Sequence, residues 1–201
     1  IGIIGCGGIA QKMAATLEKM KGVERYAVAS RNQEKAEAFA NKWGFTKAYG
    51  SYEELASDPE VDLIYIATPH AMHYDNAHMC IEKGKPVLCE KAFTANARQA
   101  EDLLAFAKEK GVFITEAIWT RYMPLSLKIQ ELLKEGVIGT PYTLSANLSY
   151  PISNKERIIR PELAGGALLD IGVYTLNFAA MAFGSDTTGE FHAGLPDLGG
   201  K

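Results

Sequence analysis

The sequence predicts an α/β fold, a doubly wound parallel sheet followed by an α+β domain with a mainly antiparallel sheet. Three observations predict it. From residue 1 to about residue 117, short β-branched runs alternate with segments of helical periodicity, which right-handed crossovers build into a parallel sheet covered on both faces. A glycine-rich turn separates the first run from the first helix. After about Trp119 the alternation stops, and a helix, an alternating run and a second helix follow. The expected domains are residues 1–120 and 121–201, the second incomplete.

The elements follow in order. Residues 1–5 form the first strand, and residues 8–21 carry Ile9, Met13, Leu17 and Met20 at helical spacing. A strand at 26–30 leads to a helix at 33–43 that closes on Gly44, a common helix end. Short segments at 47–49 and 52–56 read as strand and helix, and the apolar run 61–68 as a buried strand. After Pro69 a helix at 72–83 ends at Gly84, a strand at 86–90 follows, and a helix at 95–110 ends at Gly111 before the strand 112–117. Beyond lie a helix at 125–135, an alternating run at 140–150 and a helix-like run at 166–183. Residues 187–201 are rich in glycine and short of apolar periodicity, and the chain opens inside a strand rather than on a Met, so a fragment of a longer protein is expected.

Composition narrows the partners. The 201 residues are 47% hydrophobic and 22% charged, enough for a sizeable core. A formal net charge of -3 with interspersed signs offers no basic face for nucleic acid or an anionic membrane. The longest uninterrupted apolar stretches, such as 63–67, fall far short of the roughly 18 residues that span a bilayer. Cys6, Cys80 and Cys89 form no CxxC pair and are odd in number, which favours a reducing, cytoplasmic setting over a disulfide framework. A small-molecule partner is expected.

Gly5-Cys6-Gly7-Gly8-Ile9-Ala10 reads as GxGxxA, the Rossmann phosphate turn. Gly5 allows the tight turn, Gly7 lets backbone approach a pyrophosphate, and Ala10 lets helix and strand pack closely, while Gly8 and Ile9 open the helix whose free N–H groups face the phosphates. At the end of the second strand, where an acidic residue would hold an adenine ribose, stand Ser30 and Arg31. Both donate to a 2′-phosphate, so NADP is favoured over NAD. Thr68, Pro69, His73, Glu90 and Lys91 are further expected cofactor contacts at the strand ends, the edge where such sheets bind ligands. His70, His73, His78 and Cys80 match no closed zinc pattern, and no metal is expected.

Lys91 follows the fifth strand, and Asp170 and Tyr174 lie four apart on one helical face. Together they make a proton-handling set. A phenol titrates near 10, and base catalysis at neutrality needs it about 2 to 3 units lower, a shift that an ammonium about 4 Å away can supply. A non-catalytic NADP-binding sensor on the same fold is the alternative; it would need no such set.

These motifs, with Ala67-Thr68-Pro69, Glu90-Lys91 and the stretch from Gly165 to Tyr174, resemble the Gfo/Idh/MocA oxidoreductases. The resemblance implies an N-terminal Rossmann domain, a second domain for substrate and dimerisation, and hydride transfer between NADP and a sugar, polyol or cyclic trans-diol. It puts Lys91 on the family's EKP lysine and Asp170 and Tyr174 on its DxGxH positions, with Ala92 replacing the usual proline and tyrosine the usual histidine. The tyrosine is most similar to the dimeric dihydrodiol dehydrogenase branch, whose members also oxidise xylose. By that similarity Trp119 and Arg121 lie along the cofactor, and a homodimer or higher oligomer is expected.

Overall fold

The computed structural model describes residues 1–152 and 154–184. The expected Gly-rich tail at 187–201 lies outside the described residues. Six parallel strands form one sheet in the order β3-β2-β1-β4-β5-β6. They are β1 (Gly2–Ile4), β2 (Ala27–Ala29), β3 (Lys47–Tyr49), β4 (Ile64–Ile66), β5 (Val87–Glu90) and β6 (Ile114–Ala117). The crossovers run through α1 (Gly8–Leu17), α2 (Gln33–Trp43), α3 (Tyr52–Ser57), α4 (His73–Glu82) and α5 (Ala97–Lys110). The direction of winding reverses between β1 and β4. The crevice outside the carboxyl ends of those two strands is therefore the switch point where such sheets bind ligands.

Local caps bound three of the five crossovers, whereas α1 stops at Leu17, short of the expected 21. Asn32, Ser51 and Asn96 accept the backbone N–H three residues on, at 2.8, 3.2 and 3.0 Å, capping α2, α3 and α5. Gly44 and Gly111 take left-handed φ values of 68° and 66° to stop α2 and α5. Two apolar layers sandwich the sheet. One gathers Ile4, Leu55, Ile64, Ile66, Ile81 and Leu103. The other gathers Ile3, Ala10, Ala14, Leu17, Val28 and Phe39. Each large side chain buried this way contributes about 1.5–3 kcal/mol.

Beyond β6 lie a 3₁₀ turn (Trp119–Tyr122), α6 (Pro124–Lys134), a short α7 (Glu156–Ile159), a 3₁₀ turn (Pro161–Leu163), a π-type turn (Leu168–Gly172) and α8 (Val173–Phe183). The alternating run at 140–150 forms no strand. Among the described residues no strand follows β6 to pair with it, and an unpaired strand has no partner for its backbone groups. Tyr142 is accordingly 90% exposed.

By length and hydropathy alone, Pro161–Phe183 could cross a membrane. The stretch is broken by the left-handed turn at Ala164 and by the π-type turn, and its two carboxylates, Glu162 and Asp170, are ion-paired. Leu168, Leu176 and Phe178 within it are exposed.

Candidate active site

Gly5 turns the chain off β1 with φ of 100°, and a Cβ there would stand 2.8 Å from the carbonyl oxygen of Ala67. Glycine is thus demanded twice, by dihedral and by the close approach of β4. At Gly7 and Gly8 an added Cβ would meet nothing within 4 Å: the turn opens onto free space at the N-terminus of α1. Ala10 is fully buried, joining helix to sheet as its small size suggests, while Ile9 is 38% exposed beside the turn.

A cleft of about 660 Å³ runs from this turn across the strand ends, within the usual size of cofactor sites. Gly7, Gly8, Ile9 and Lys12 line one end, and Glu90, Lys91, Trp119, Asp170 and Tyr174 the other, with Thr68, Pro69 and His70 between. This is the cradle a dinucleotide needs: helix N–H groups at the phosphate end and chemistry-bearing side chains at the far end. Ser30 and Arg31 stand beyond this lining, directly after β2. Ser30 is buried and its Oγ accepts from Asn32 N at 3.4 Å, whereas Arg31 is exposed, its charge close to the Tyr52 hydroxyl. Lys35, in the first turn of α2, lies close enough to the glycine turn for its charge to act on Cys6, a placement that no sequence motif marks.

At the far end, Lys91 Nζ donates to the backbone oxygen of Asp170 at 2.6 Å and to its Oδ1 at 3.2 Å. The same ammonium sits 5.0 Å from the centre of the Tyr174 ring. Trp119 Nε1 donates to Tyr174 Oη at 3.0 Å, its ring meeting the phenol edge-on. The three residues picked out by spacing therefore meet in one cleft.

Their electrostatics differ from expectation. The sequence reading has Lys91 lower the phenol's pKa; instead burial, aided by the charges of Glu90 and Asp170, pushes it up. The ammonium lies over the ring face and is engaged by Asp170. Burial opposes ionisation of Asp170 as well, but a hydrogen bond from Arg157 and the charge of Lys91 outweigh it and hold the carboxyl below its usual range. Glu90, which accepts from Tyr65 Oη and from Lys91 N, is raised by burial.

Two further expected cofactor contacts stand off the cleft lining. His73 is fully buried. Its Nδ1 lies 2.7 Å from the Ala92 oxygen and its Nε2 2.8 Å from the Thr68 oxygen, so it ties the ends of β4 and β5 together beneath the cleft. His70, three residues earlier, lines the cleft instead. Arg121 borders a neighbouring apolar cleft with Met123, Ile129, Phe178 and Met181, on the other side of Tyr174. The cause is the 3₁₀ turn: at three residues per turn, positions two apart point in different directions, so Trp119 and Arg121 cannot share a face. Arg157 was also missed, since in Lys155-Glu156-Arg157 it reads as a solvated charge run. Among the described residues no group of three or more His, Cys, Asp or Glu side chains is placed to hold a metal.

A phosphate-binding turn at the switch point of a parallel sheet, facing a lysine, a carboxylate and a phenol, defines a dinucleotide-binding domain of the Rossmann class. The chain belongs to the Gfo/Idh/MocA family: residues 1–117 match its oxidoreductase, NAD-binding Rossmann fold model, and residues 126–192 its C-terminal domain model. It is 44% identical to D-xylose 1-dehydrogenase (NADP(+)) of Hypocrea jecorina, covering 88% of this chain and 51% of that protein. It is 40% identical to trans-1,2-dihydrobenzene-1,2-diol dehydrogenase of Homo sapiens, covering 91% and 55%. Among solved structures, a 3-ketoreductase from Actinomadura kijaniata in complex with NADP and TDP-benzene is 32% identical with a TM-score of 0.78, covering 92% and 57%. The chain spans about half the length of the curated relatives it matches.

Proposed function

We propose that the protein is an NADP-dependent oxidoreductase that moves a hydride between the nicotinamide and a carbinol or carbonyl carbon of a sugar, polyol or cyclic trans-diol. The observation that carries this is the meeting of Lys91, Asp170 and Tyr174 at one end of a cleft whose other end is the glycine turn. The activities of the relatives, on xylose and on a dihydrobenzene diol, agree with it.

In this reading residues 1–120 hold the nucleotide: Gly7, Gly8 and the α1 N-terminus take the pyrophosphate, and Ser30 and Arg31 the 2′-phosphate. Bound NADP would supply the hydride acceptor or donor. Residues 121–201 contribute to substrate binding and to a homo-oligomer. Tyr174 handles the proton: its raised pKa keeps the phenol protonated at neutral pH, ready to give a proton to a substrate carbonyl oxygen as hydride reaches the carbon. In the reverse direction the reacting form is the Tyr174 phenolate, which Lys91 stabilises; its Oη accepts the hydroxyl proton as hydride leaves the carbinol carbon for the nicotinamide, and the phenol results. Buried free thiols at Cys80 and Cys89 suit a reducing, cytoplasmic compartment.

The test is NADP reduction, followed by absorbance, with a panel of aldoses, inositols and trans-diols. Tyr174→Phe should cut turnover by about 10²-fold or more with NADP affinity retained. Nucleotide binding without turnover on any of the panel would leave only a nucleotide sensor.

A further inference from the structure

The strap at residues 154–165 is laced to the start of the segment that bears Asp170. Gly166 N donates to the Ile158 oxygen at 2.7 Å and Gly165 N to the Arg160 oxygen at 3.2 Å. A Cβ on Gly165 would stand 2.6 Å from the Ile158 oxygen and 2.9 Å from those of Arg157 and Arg160, so only glycine lets the strap approach this closely. The lacing delivers one side chain to the cleft. Arg157 Nη1 donates to Asp170 Oδ1, the same oxygen that accepts from Lys91.

Two cations therefore share one carboxylate, whose side chain is only 5% exposed. The charges then sum in a particular way. With Lys91 as the only cation, the Asp170 and Glu90 carboxylates would leave a net negative charge beside the phenol. Arg157 adds the balancing positive charge and takes part of the Asp170 hydrogen-bonding capacity. We propose that Arg157 is a positioning residue, which holds Asp170 Oδ1 beside the Lys91 ammonium and offsets the carboxylate charge that faces Tyr174. This rests on the reading of Tyr174 as the proton-transfer group. The other charged or titratable groups around the phenol are Tyr65 in β4, Glu90 at the end of β5, His70 after β4, Tyr150 ahead of the strap, Lys155 in the strap, and Arg121 across the neighbouring cleft. None of them bonds to Asp170 Oδ1.

The experiment titrates Tyr174 directly, as the difference in ultraviolet tyrosinate absorbance between the full chain and its Tyr174→Phe variant, with and without an Arg157 substitution. Arg157→Met should raise the Tyr174 midpoint by about one pH unit, equivalent to roughly tenfold less phenolate at a given pH. The limb of the kcat pH profile that rises with loss of the phenol proton should move with it, while NADP affinity stays put. Arg157→Lys, which keeps the charge, should restore most of the midpoint. An unmoved midpoint in the Met variant overturns the proposal, as does a shift that the Lys variant does not reverse in protein with parental circular dichroism. Because the titration needs no turnover, absence of oxidoreductase activity would count against the enzyme reading alone.

Discussion

Gly5 concentrates at one residue the link between fold and site. Its φ of 100° lies where a Cβ is strained, and that Cβ would press on the Ala67 carbonyl 2.8 Å away, in backbone that cannot swing aside. Gly5→Ala is expected to cost about 1–3 kcal/mol of stability from the dihedral alone and to open the β1–β4 crevice. Urea unfolding should show the loss, and NADP affinity should fall at least tenfold; parental values for both would refute the close-approach argument. At this scale the sequence was legible where chemistry and spacing coincide, as for Gly5, Lys91, Asp170 and Tyr174. It was not legible where orientation decides. His73 and His70 sit three residues apart and both are buried, and only the packing around the start of α4 tells which one still reaches the cleft. Arg157 could not be found by spacing, because its partner Asp170 is brought to it by the glycine pair rather than by a shared helix.

At the scale of elements, the edge strand β3 is held by a polar clamp. Asp58, at the end of α3, accepts from Lys47 Nζ at 2.9 Å, Tyr49 Oη at 2.5 Å and Glu60 N at 3.0 Å. Burial works against its charge, yet the Tyr49 and Lys47 hydrogen bonds prevail and bring its pKa down from 3.8 to about 2. A depressed folded-state pKa adds stability above the unfolded-state value, and that stability is lost as pH falls through the folded-state value. Asp58→Asn should therefore lower Tm at neutral pH, with the gap to the parent narrowing as pH drops from about 4 towards 2. A gap constant across that range would show that the carboxylate's charge is irrelevant to the clamp. Strands and helices of the parallel sheet were readable because each carries its own signal: a β-branched run, a cap, a closing glycine. The run at 140–150 alternates like a strand, but a strand exists only when a neighbour supplies hydrogen bonds, and that information lies outside the segment itself.

For the molecule as a whole, the relevant balance is between a net charge of -3 and a strongly anionic cofactor. Overall repulsion is modest and falls off within about 8–10 Å at ordinary ionic strength, so nearby cations decide affinity. Lys12 lines the cleft beside the glycine turn, Lys35 acts on the turn, and Arg31 follows β2 where a ribose-binding carboxylate would otherwise stand. With Arg31 proposed to answer the extra phosphate that distinguishes NADP from NAD, its exposure leaves that interaction open to salt. A ligand that binds only the folded chain stabilises it by about 2.7 kcal/mol at a concentration one hundred times its Kd. For a chain of this size each kcal/mol raises Tm by roughly 2–4 °C. NADP should therefore raise Tm by about 5–10 °C under those conditions. NAD at the same concentration should raise it by much less, and the difference should shrink as salt is added. Arg31→Glu should abolish the preference by repelling the 2′-phosphate while leaving the response to NAD in place. Equal stabilisation by the two nucleotides in the parent, or an undiminished NADP preference in Arg31→Glu, would move the 2′-phosphate contact away from the end of β2.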